Sequence, residues 1–373
     1  MNKRLLCAAA AGALIALAWG AQSSDASAKD TLPIGVIFPT KSIIGQQGVQ
    51  GANIAADLLN ADGGVNGKEV RLIVYDTNYS PVEGVAAVER LITQDGVHVV
   101  AGEISSTIAL AAIPVVKAED ALLMLAVPKH PDVTKSDYDR VFRLNTTSTM
   151  DAASFNDYLK NKIAPAKIAY LAENNDFGRL TLDDAKKSFG SKIVFTDIFE
   201  VKQSDFSALA SNVRGSGADL VCIMASNPEQ SGNLIKSMAD VGYMPKRCLT
   251  PGVLNNDFPK VAGAAAEGVF SEDIYAPSID TDLNKRFVTS YEAKYKSVPG
   301  KIELLGFESV WITGLAMRKA GTVTDTKKIA EVLRANPWPT PRGTVAFDKS
   351  GQASSDHVYH VEVKDGKVVA TQR

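Results

Sequence analysis

The chain has 373 residues, of which 45% are hydrophobic and 22% are charged, and its formal net charge at pH 7 is −2. This composition is that of an ordinary globular protein, and the small net charge gives no sign of a nucleic-acid-binding or membrane-binding surface. The length exceeds what one hydrophobic core usually holds, so two domains are expected.

The first 28 residues have the pattern of an export signal. A basic pair precedes an apolar run at 5–17, which is too short to span a bilayer but fits the apolar region of a signal peptide. The sequence Ala-Ser-Ala at 26–28 predicts cleavage before Lys29, and cleavage nearer residues 20–21 is the alternative. We therefore expect export to the periplasm. No later apolar run is long enough to predict a membrane anchor.

Strand and helix patterns then alternate along the chain. Strands are predicted at 32–38, 70–76, 97–101 and 122–127, with helices at 48–60, 81–94 and 108–118. The pattern restarts after Asn145, with strands at 168–173, 193–199, 220–225 and 248–250 and helices at 177–189, 206–215 and 228–241. Such alternation predicts two α/β domains, each a doubly wound parallel sheet covered on both faces.

A third part is mainly helical before it ends in short strands. A strand is predicted at 269–276, helices at 280–295, 304–320 and 327–334, and strands at 343–348, 357–364 and 367–371. Asp365-Gly366 between the last two strands predicts a hairpin turn. Three helices in succession do not extend the second sheet, so we expect them to complete the first domain.

One β-α-β unit, at residues 97–131, carries the polar residues of most interest. Ser105, Ser106 and Thr107 lie where the predicted third strand ends and the following helix begins. Helix N-termini at this edge of a parallel sheet bind anions, so the hydroxyl and N–H groups are candidates to anchor a small anion. The alternative is that these residues only cap the helix, as Ser and Thr commonly do.

Several motifs together resemble one family. They are IGVIFPTKS, GQQGVQGANIAADLLNADGGVNGKEVRLIVYD, VVAGEISSTIALAAIPV, LLMLAVP, YLAENNDFGR, DFSALASNVRGSGADLVCIMA and GTVAFDKSGQ, in this order. The chain is similar to the periplasmic solute-binding proteins of ABC importers related to the leucine/isoleucine/valine-binding protein. This resemblance implies a type I periplasmic binding fold, with two lobes joined by three crossover strands around a ligand cleft. It places lobe 1 at 29–145 plus 276–355 and lobe 2 at 146–275 plus 356–373.

The resemblance also implies the ligand-binding residues. The family's carboxylate anchor falls on Ser105, Ser106 and Thr107, with Ser106 as the main donor, and its second half falls on Val127 and Lys129. There the sequence departs from the family, because Pro128 has no N–H and Lys129 stands where a hydroxyl is usual. A solvated loop lysine is the alternative interpretation of Lys129. The full set of candidates is Phe38, Ser105, Ser106, Thr107, Val127, Lys129, Phe177, Asn227, Thr250 and Gly252.

The loop after the 248–250 strand lacks a residue that amino-acid-binding relatives have. They place an acidic side chain here to accept the ligand ammonium, whereas this chain has none before Asp257. A buried ammonium without a partner costs several kcal/mol. Unless Glu103, Asp176 or Glu272 substitutes, the ligand is predicted to be a small organic acid with an apolar or aromatic body, such as an aromatic acid or a 2-oxo acid. A branched-chain or aromatic amino acid is the alternative.

The resemblance implies a monomer that closes about a hinge and delivers its ligand to an ABC permease in the inner membrane. An enzyme is the rival class, but the glycines at 45–51 have the spacing G-x-x-G-x-x-G instead of the dinucleotide pattern G-x-G-x-x-G. The sequence predicts no catalytic residues, no cofactor, no metal site and no nucleic-acid partner. Cys222 and Cys248 lie in apolar strand-like runs, which favours buried free thiols, with a disulfide as the alternative.

Overall fold

The computed structural model describes residues 30–354 and 358–372, so the predicted export signal lies outside the described residues. The strands are β1 Thr31–Phe38, β2 Glu69–Asp76, β3 Val99–Gly102, β4 Leu122–Leu125, β5 Val141–Arg143, β6 Ile168–Glu173, β7 Ile193–Phe199, β8 Leu220–Met224, β9 Lys246–Leu249, β10 Val269–Asp273, β11 Trp338–Thr340, β12 Gly343–Val345, β13 Tyr359–Lys364 and β14 Lys367–Gln372. The α-helices are α1 Ile43–Ala61, α2 Pro81–Thr93, α3 Ser106–Ala118, α4 Ser148–Tyr158, α5 Asp176–Phe189, α6 Ser207–Ser216, α7 Pro228–Asp240, α8 Phe258–Ala262, α9 Asp282–Tyr295, α10 Lys301–Ala320 and α11 Thr326–Ala335. None of these helices is long and apolar enough to cross a bilayer.

The first sheet has the order β2-β1-β3-β4-β5, and all its strand pairs are parallel. Successive residues of a strand face opposite sides, so Val36 joins one hydrophobic core and Ile37 the other. The core on the side of Val36 also contains Phe307 and Ile312 of α10 and Leu333 of α11. The late helices therefore complete the first sheet, as predicted.

The second sheet has the order β14-β13-β10-β9-β8-β6-β7. Its pairs are parallel except at the edge, where β13 runs antiparallel to both β10 and β14. The chain passes between the two sheets after β5, after β10 and between β12 and β13. This confirms the α/β class with two doubly wound lobes, while the exact lobe boundaries stay a prediction.

The glycines near the start of α1 have a packing role that the sequence analysis did not foresee. A Cβ on Gly51 would lie 1.8 Å from the Glu303 carbonyl oxygen, and one on Gly306 would lie 2.1 Å from the Gly48 carbonyl oxygen. These glycines let α1 and α10 approach backbone to backbone. Helix α1 also begins five residues before the predicted start, because the Ser42 side chain caps it by accepting from the Gly45 N–H.

Cys222 and Cys248 lie directly opposite each other on β8 and β9. Both are buried and free, with their Sγ atoms 2.7 Å apart.

Candidate functional site

A cleft lies between the carboxyl edges of the two sheets. It is lined by Ile44, Ile104, Ser106, Val127, Lys129, Asn145, Phe177, Ser226, Thr250, Pro251, Gly252, Val253, Lys301 and Ile302. The structure thus brings six of the ten predicted residues together at one site, namely Ser106, Val127, Lys129, Phe177, Thr250 and Gly252.

Ser106 and Ser105 have different roles. The Ser105 side chain caps α3 by accepting from the Ile108 N–H. The Ser106 hydroxyl oxygen accepts from the N–H groups of Lys129 and His130, each at 3.1 Å. Among the described residues this hydroxyl has no acceptor of its own, so its hydrogen remains to donate into the cleft.

The N–H groups just before α3 were expected to face the cleft, but they do not. Glu103 is fully buried, and its Oε1 accepts from the N–H groups of Ile104 at 2.8 Å and Ser105 at 2.7 Å. Burial raises the pKa of the Glu103 carboxyl to about 7. The chain's own carboxylate therefore occupies the Ser105 N–H, one of the groups predicted to bind a ligand, and the Ile104 N–H beside it.

Two lysines reach the cleft from the first lobe. Lys129 is not a solvated loop residue, because its side chain is 6% exposed and its Nζ pairs with Asp151 of α4. Lys301, which the sequence analysis missed, is the first residue of α10, and its side chain is 2% exposed. Its Nζ lies 4.0 Å from Asp273 Oδ1, beyond hydrogen-bonding distance. Burial, together with the nearby charge of Lys129, lowers the pKa of Lys301 to about 7.

One sequence signal could have singled out Lys301. A lysine at the first position of a helix is electrostatically unfavourable, because the positive end of the helix dipole lies there. Gly252 makes room for this side chain. Its φ is +83°, and a Cβ at this position would lie 2.3 Å from Lys301 Nζ. The positive φ favours glycine at 252, and the absence of a Cβ leaves the space that the lysine side chain occupies.

The wall from the second lobe is mainly apolar. Phe177 lies at the start of α5, beside Pro251 and Val253 of the loop that follows β9. The Thr250 hydroxyl faces inward to its own lobe, where it donates to the Ala225 carbonyl at 2.8 Å. This side therefore presents hydrocarbon surface opposite the serine and the two lysines.

Four predicted residues lie outside the lining of the cleft. Ser105 is occupied in capping α3, as described above. Thr107 donates to Asp176 Oδ2 at 2.7 Å, at an exposed contact between the lobes. Asn227 caps α7 by accepting from the Gln230 N–H and borders a separate crevice. Phe38 is fully buried, where a Cβ on Gly48 would lie 2.4 Å from its ring. The structure therefore places these four side chains outside the lining of the cleft, where caps and packing hold them.

No aspartate or glutamate is among the described residues that line the cleft. The three possible substitutes named from the sequence, Glu103, Asp176 and Glu272, are all outside that lining. Over the part of the chain that the structure describes, no group of three or more His, Cys, Asp or Glu side chains is placed to hold a metal ion.

The lobes also touch beside the cleft. The Ile43 N–H of α1 donates to Glu229 of α7 at 2.9 Å. Gln47, also on α1, hydrogen-bonds both Asn255 and Asp257 at 2.8 Å. These contacts join α1 to elements of the second lobe, so the cleft is enclosed between lobes that are in direct contact.

Comparison with known proteins agrees with this architecture. The family described as periplasmic binding protein matches residues 31–367. The leucine-, isoleucine-, valine-, threonine- and alanine-binding protein of Pseudomonas aeruginosa is 27% identical over 342 residues, covering 90% of this chain and 91% of the relative.

Two solved structures share the fold. A leucine-binding protein from Thermotoga maritima has a TM-score of 0.83 at 22% identity, covering 91% of this chain and 98% of the other. An ABC transporter solute-binding protein from R. palustris in complex with benzoate has a TM-score of 0.84 at 19% identity, covering 92% and 96%. The family resemblance inferred from the motifs is therefore confirmed. The chain belongs to the periplasmic binding protein family and is a type I periplasmic binding protein of ABC transporters.

Proposed function

We propose that this protein captures a small carboxylate with an apolar or aromatic body in the cleft and delivers it to an ABC permease in the inner membrane. The observation that carries this proposal is the chemistry of the lining. Ser106, Lys129 and Lys301 offer donors and positive charge, whereas the described lining residues include no carboxylate. The remaining surface is mostly apolar, as expected for a site that buries a hydrocarbon body.

The charge at Lys301 supports an anionic ligand. This ammonium is buried, stands at a helix N-terminus and lies near a second lysine. Each of these features destabilises its charged form. A ligand carboxylate beside Lys301 and the Ser106 hydroxyl offsets all three, since it adds negative charge at hydrogen-bonding distance, which Asp273 at 4.0 Å does not reach, and accepts charge-assisted hydrogen bonds.

The same lining disfavours an α-amino acid. Its ammonium would enter a buried site that already holds two lysines, and the nearby carboxylates of Asp151 and Asp273 already face Lys129 and Lys301. Leaving an ammonium unpaired there costs several kcal/mol. Amino acids remain the alternative ligands because the Pseudomonas aeruginosa relative is named for binding them.

In the proposed mechanism, the acid docks on the first lobe at Ser106 and Lys301. Phe177 and the loop containing Thr250 and Gly252 then close on it from the second lobe. With the predicted lobe boundaries, each lysine of the pairs Lys129–Asp151 and Lys301–Asp273 belongs to the first lobe and each aspartate to the second, so both pairs would join the lobes on closure. Export by the N-terminal signal would place the protein in the periplasm, where its permease partner is accessible.

Calorimetric titration of the unliganded protein tests this proposal. Phenylpyruvate and 4-hydroxybenzoate are expected to bind, whereas leucine and phenylalanine are expected to bind much more weakly. Phenylpyruvate and phenylalanine form a matched pair, because they share the ring and the carboxylate and differ at the α-carbon. Micromolar binding of only the two amino acids would overturn the proposal.

A further inference from the structure

Helix α1 carries a contact between the lobes one turn away from the cleft. Ile44 of α1 lines the cleft and packs in the core of the first sheet, and Gln47 follows three residues later. Residues three apart lie on one face of a helix, so the Gln47 side chain leaves α1 on the side of the cleft. Gln47 is buried, yet it is not one of the described residues that line the cleft.

Both ends of the Gln47 amide bind the second lobe. Its Nε2 donates to Asp257 Oδ2, and its Oε1 accepts from Asn255 Nδ2, each at 2.8 Å. Leu254 and Phe258, on either side of these partners, pack in the core of the second sheet, so the partners move with that lobe. One side chain of the first lobe thus makes two hydrogen bonds to the second, and the one to a carboxylate is of the stronger, charge-assisted kind.

The partners on the second lobe are held in place by their own loop. Asn255 Oδ1 accepts from the N–H groups of Asp257 and Phe258, at 3.1 and 3.0 Å. These bonds lie within the second lobe, so they persist when the lobes separate. The same loop supplies residues 251–253 to the lining of the cleft. The groups that meet Gln47 and the groups that face the ligand therefore arrive together.

The first-lobe side of the contact is tied to the ligand anchor. Helices α1 and α10 touch backbone to backbone at Gly51 and Gly306, and α10 begins with Lys301. Gln47 and Lys301 therefore move as one unit. When Gln47 meets the second-lobe loop, Gly252 of that loop reaches Lys301, where its missing Cβ leaves room for the ammonium. The contact beside the cleft and the assembly of the cleft are one movement.

We propose that Gln47 is a latch, a positioning residue that sets ligand affinity by stabilising the closed arrangement of the lobes without touching the ligand. This inference takes lobe closure from the proposed function, but not the identity of the ligand. In the open protein, water satisfies the Gln47 amide and the Asp257 carboxylate, and closure exchanges that water for the latch. Because the ligand docks first and closure follows, every factor lost from the closing equilibrium is lost from the affinity.

Calorimetry and stopped-flow kinetics with phenylpyruvate and 4-hydroxybenzoate test the latch. Gln47→Ala is expected to lower the affinity for both acids by the same factor, about ten- to a hundredfold, because the latch contacts neither. The association rate constant should stay within about twofold of the wild type, and the dissociation rate constant should carry the loss. Gln46→Ala, at the exposed neighbouring position of α1, is the matched control and should bind as the wild type does.

A charge exchange separates a latch from a general structural role. Gln47→Glu places a carboxylate against Asp257 and is expected to weaken binding at least about tenfold. Adding Asp257→Asn gives that carboxylate a donor, so the double variant is expected to recover to within about threefold of the wild type. The urea midpoint of each unliganded variant should equal that of the wild type, since the latch forms only on closure.

Three results would overturn the latch. They are wild-type affinity in Gln47→Ala, unequal losses for the two acids, and failure of Asp257→Asn to rescue Gln47→Glu. Asp257→Ala removes the acceptor from the other lobe and serves the same test if Gln47→Ala does not fold. Binding of leucine and of neither acid by the wild type would overturn the proposed function instead, and the same variants titrated with leucine would still decide the latch.

Discussion

Replacement of Lys301 by methionine tests the charge argument directly. Methionine keeps an unbranched, flexible side chain at the first position of α10 but removes the ammonium that faces the cleft. A hydrogen bond to a charged group is worth about 1.5–3 kcal/mol, so the affinity for phenylpyruvate is expected to fall roughly ten- to a hundredfold. Lys319→Met, at an exposed position near the other end of the same helix, is the control and is expected to bind as the wild type does.

The pH dependence of binding gives a second, independent measure of the same lysine. The pKa of Lys301 lies at about 7, against 10.5 for an ordinary lysine. Above pH 7 the unliganded protein holds this side chain neutral, so binding of a carboxylate must be accompanied by uptake of a proton. The affinity is therefore expected to fall as the pH rises from 7 to 9, approaching about tenfold per pH unit. Asp273, Asp151, Lys129 and Arg342 are the charged groups around Lys301.

Calorimetry at pH 6, 7, 8 and 9 measures this dependence. At pH 8, titrations in buffers of different ionisation enthalpy report the number of protons taken up. In Lys301→Met both the slope with pH and the proton uptake are expected to disappear. An unchanged affinity in Lys301→Met, or the same pH profile in the variant and the wild type, would refute the assignment of this lysine to the ligand.

Three further predictions concern serine, glutamate and cysteine side chains. Ser106→Ala is expected to lower the calorimetric affinity for phenylpyruvate about ten- to a hundredfold. Ser105→Ala should lower stability by about 1 kcal/mol through loss of a helix cap and leave this affinity unchanged. The raised pKa of Glu103, about 7 against 4.5, gives stability that is present below pH 4.5 and lost as the pH rises to 7. In denaturant unfolding, the free energy of unfolding of Glu103→Gln should therefore rise relative to that of the wild type by up to about 3 kcal/mol between pH 4.5 and pH 8. A difference in stability that stays constant with pH would contradict this prediction. Both Cys222 and Cys248 are buried, and burial raises the pKa of the Cys248 thiol. Both thiols are therefore expected to resist a thiol reagent until the protein unfolds. Rapid labelling of the native protein would show instead that the reagent reaches these thiols.

The fold was predictable because its signals are local. Buried strands and amphipathic helices alternate with short connections, and each pattern lies within about ten to twenty residues. The elements that escaped prediction lack such a pattern. Strand β5, Val141–Arg143, is only three residues long, and helix α4, Ser148–Tyr158, has few apolar residues with helical spacing. Their places are set by tertiary contacts, which the sequence does not display.

The residues of the candidate site likewise divide into those that a local sequence signal predicts and those that depend on tertiary contacts. Ser106 was predictable because the end of a parallel strand and the start of the next helix are adjacent in sequence. The roles of Ser105 and Asn227 were not, because helix caps and ligand donors use the same residue types at the same positions. The role of Thr107 was not either, because its partner Asp176 is distant in the sequence. Which hydroxyl points into the cleft depends on the amides of Lys129 and His130, more than twenty residues away along the chain.

Lys301 shows how a distant packing feature reaches the ligand site. Helix α10 is nearly 250 residues from α1 in the sequence, yet the two backbones touch. They touch because Gly51 has no side chain to hold Glu303 away, and Gly306 has no side chain to hold Gly48 away. This close approach carries the first turn of α10 against the first lobe and so holds Lys301 at the cleft, where Gly252 of the second lobe leaves room for its ammonium. Gly48 and Gly51 of the glycine pattern at 45–51 therefore serve helix packing, and through it the position of Lys301 at the cleft. A larger side chain at Gly51 would displace Lys301 from the cleft as well as destabilise the core, because the two effects share one helix.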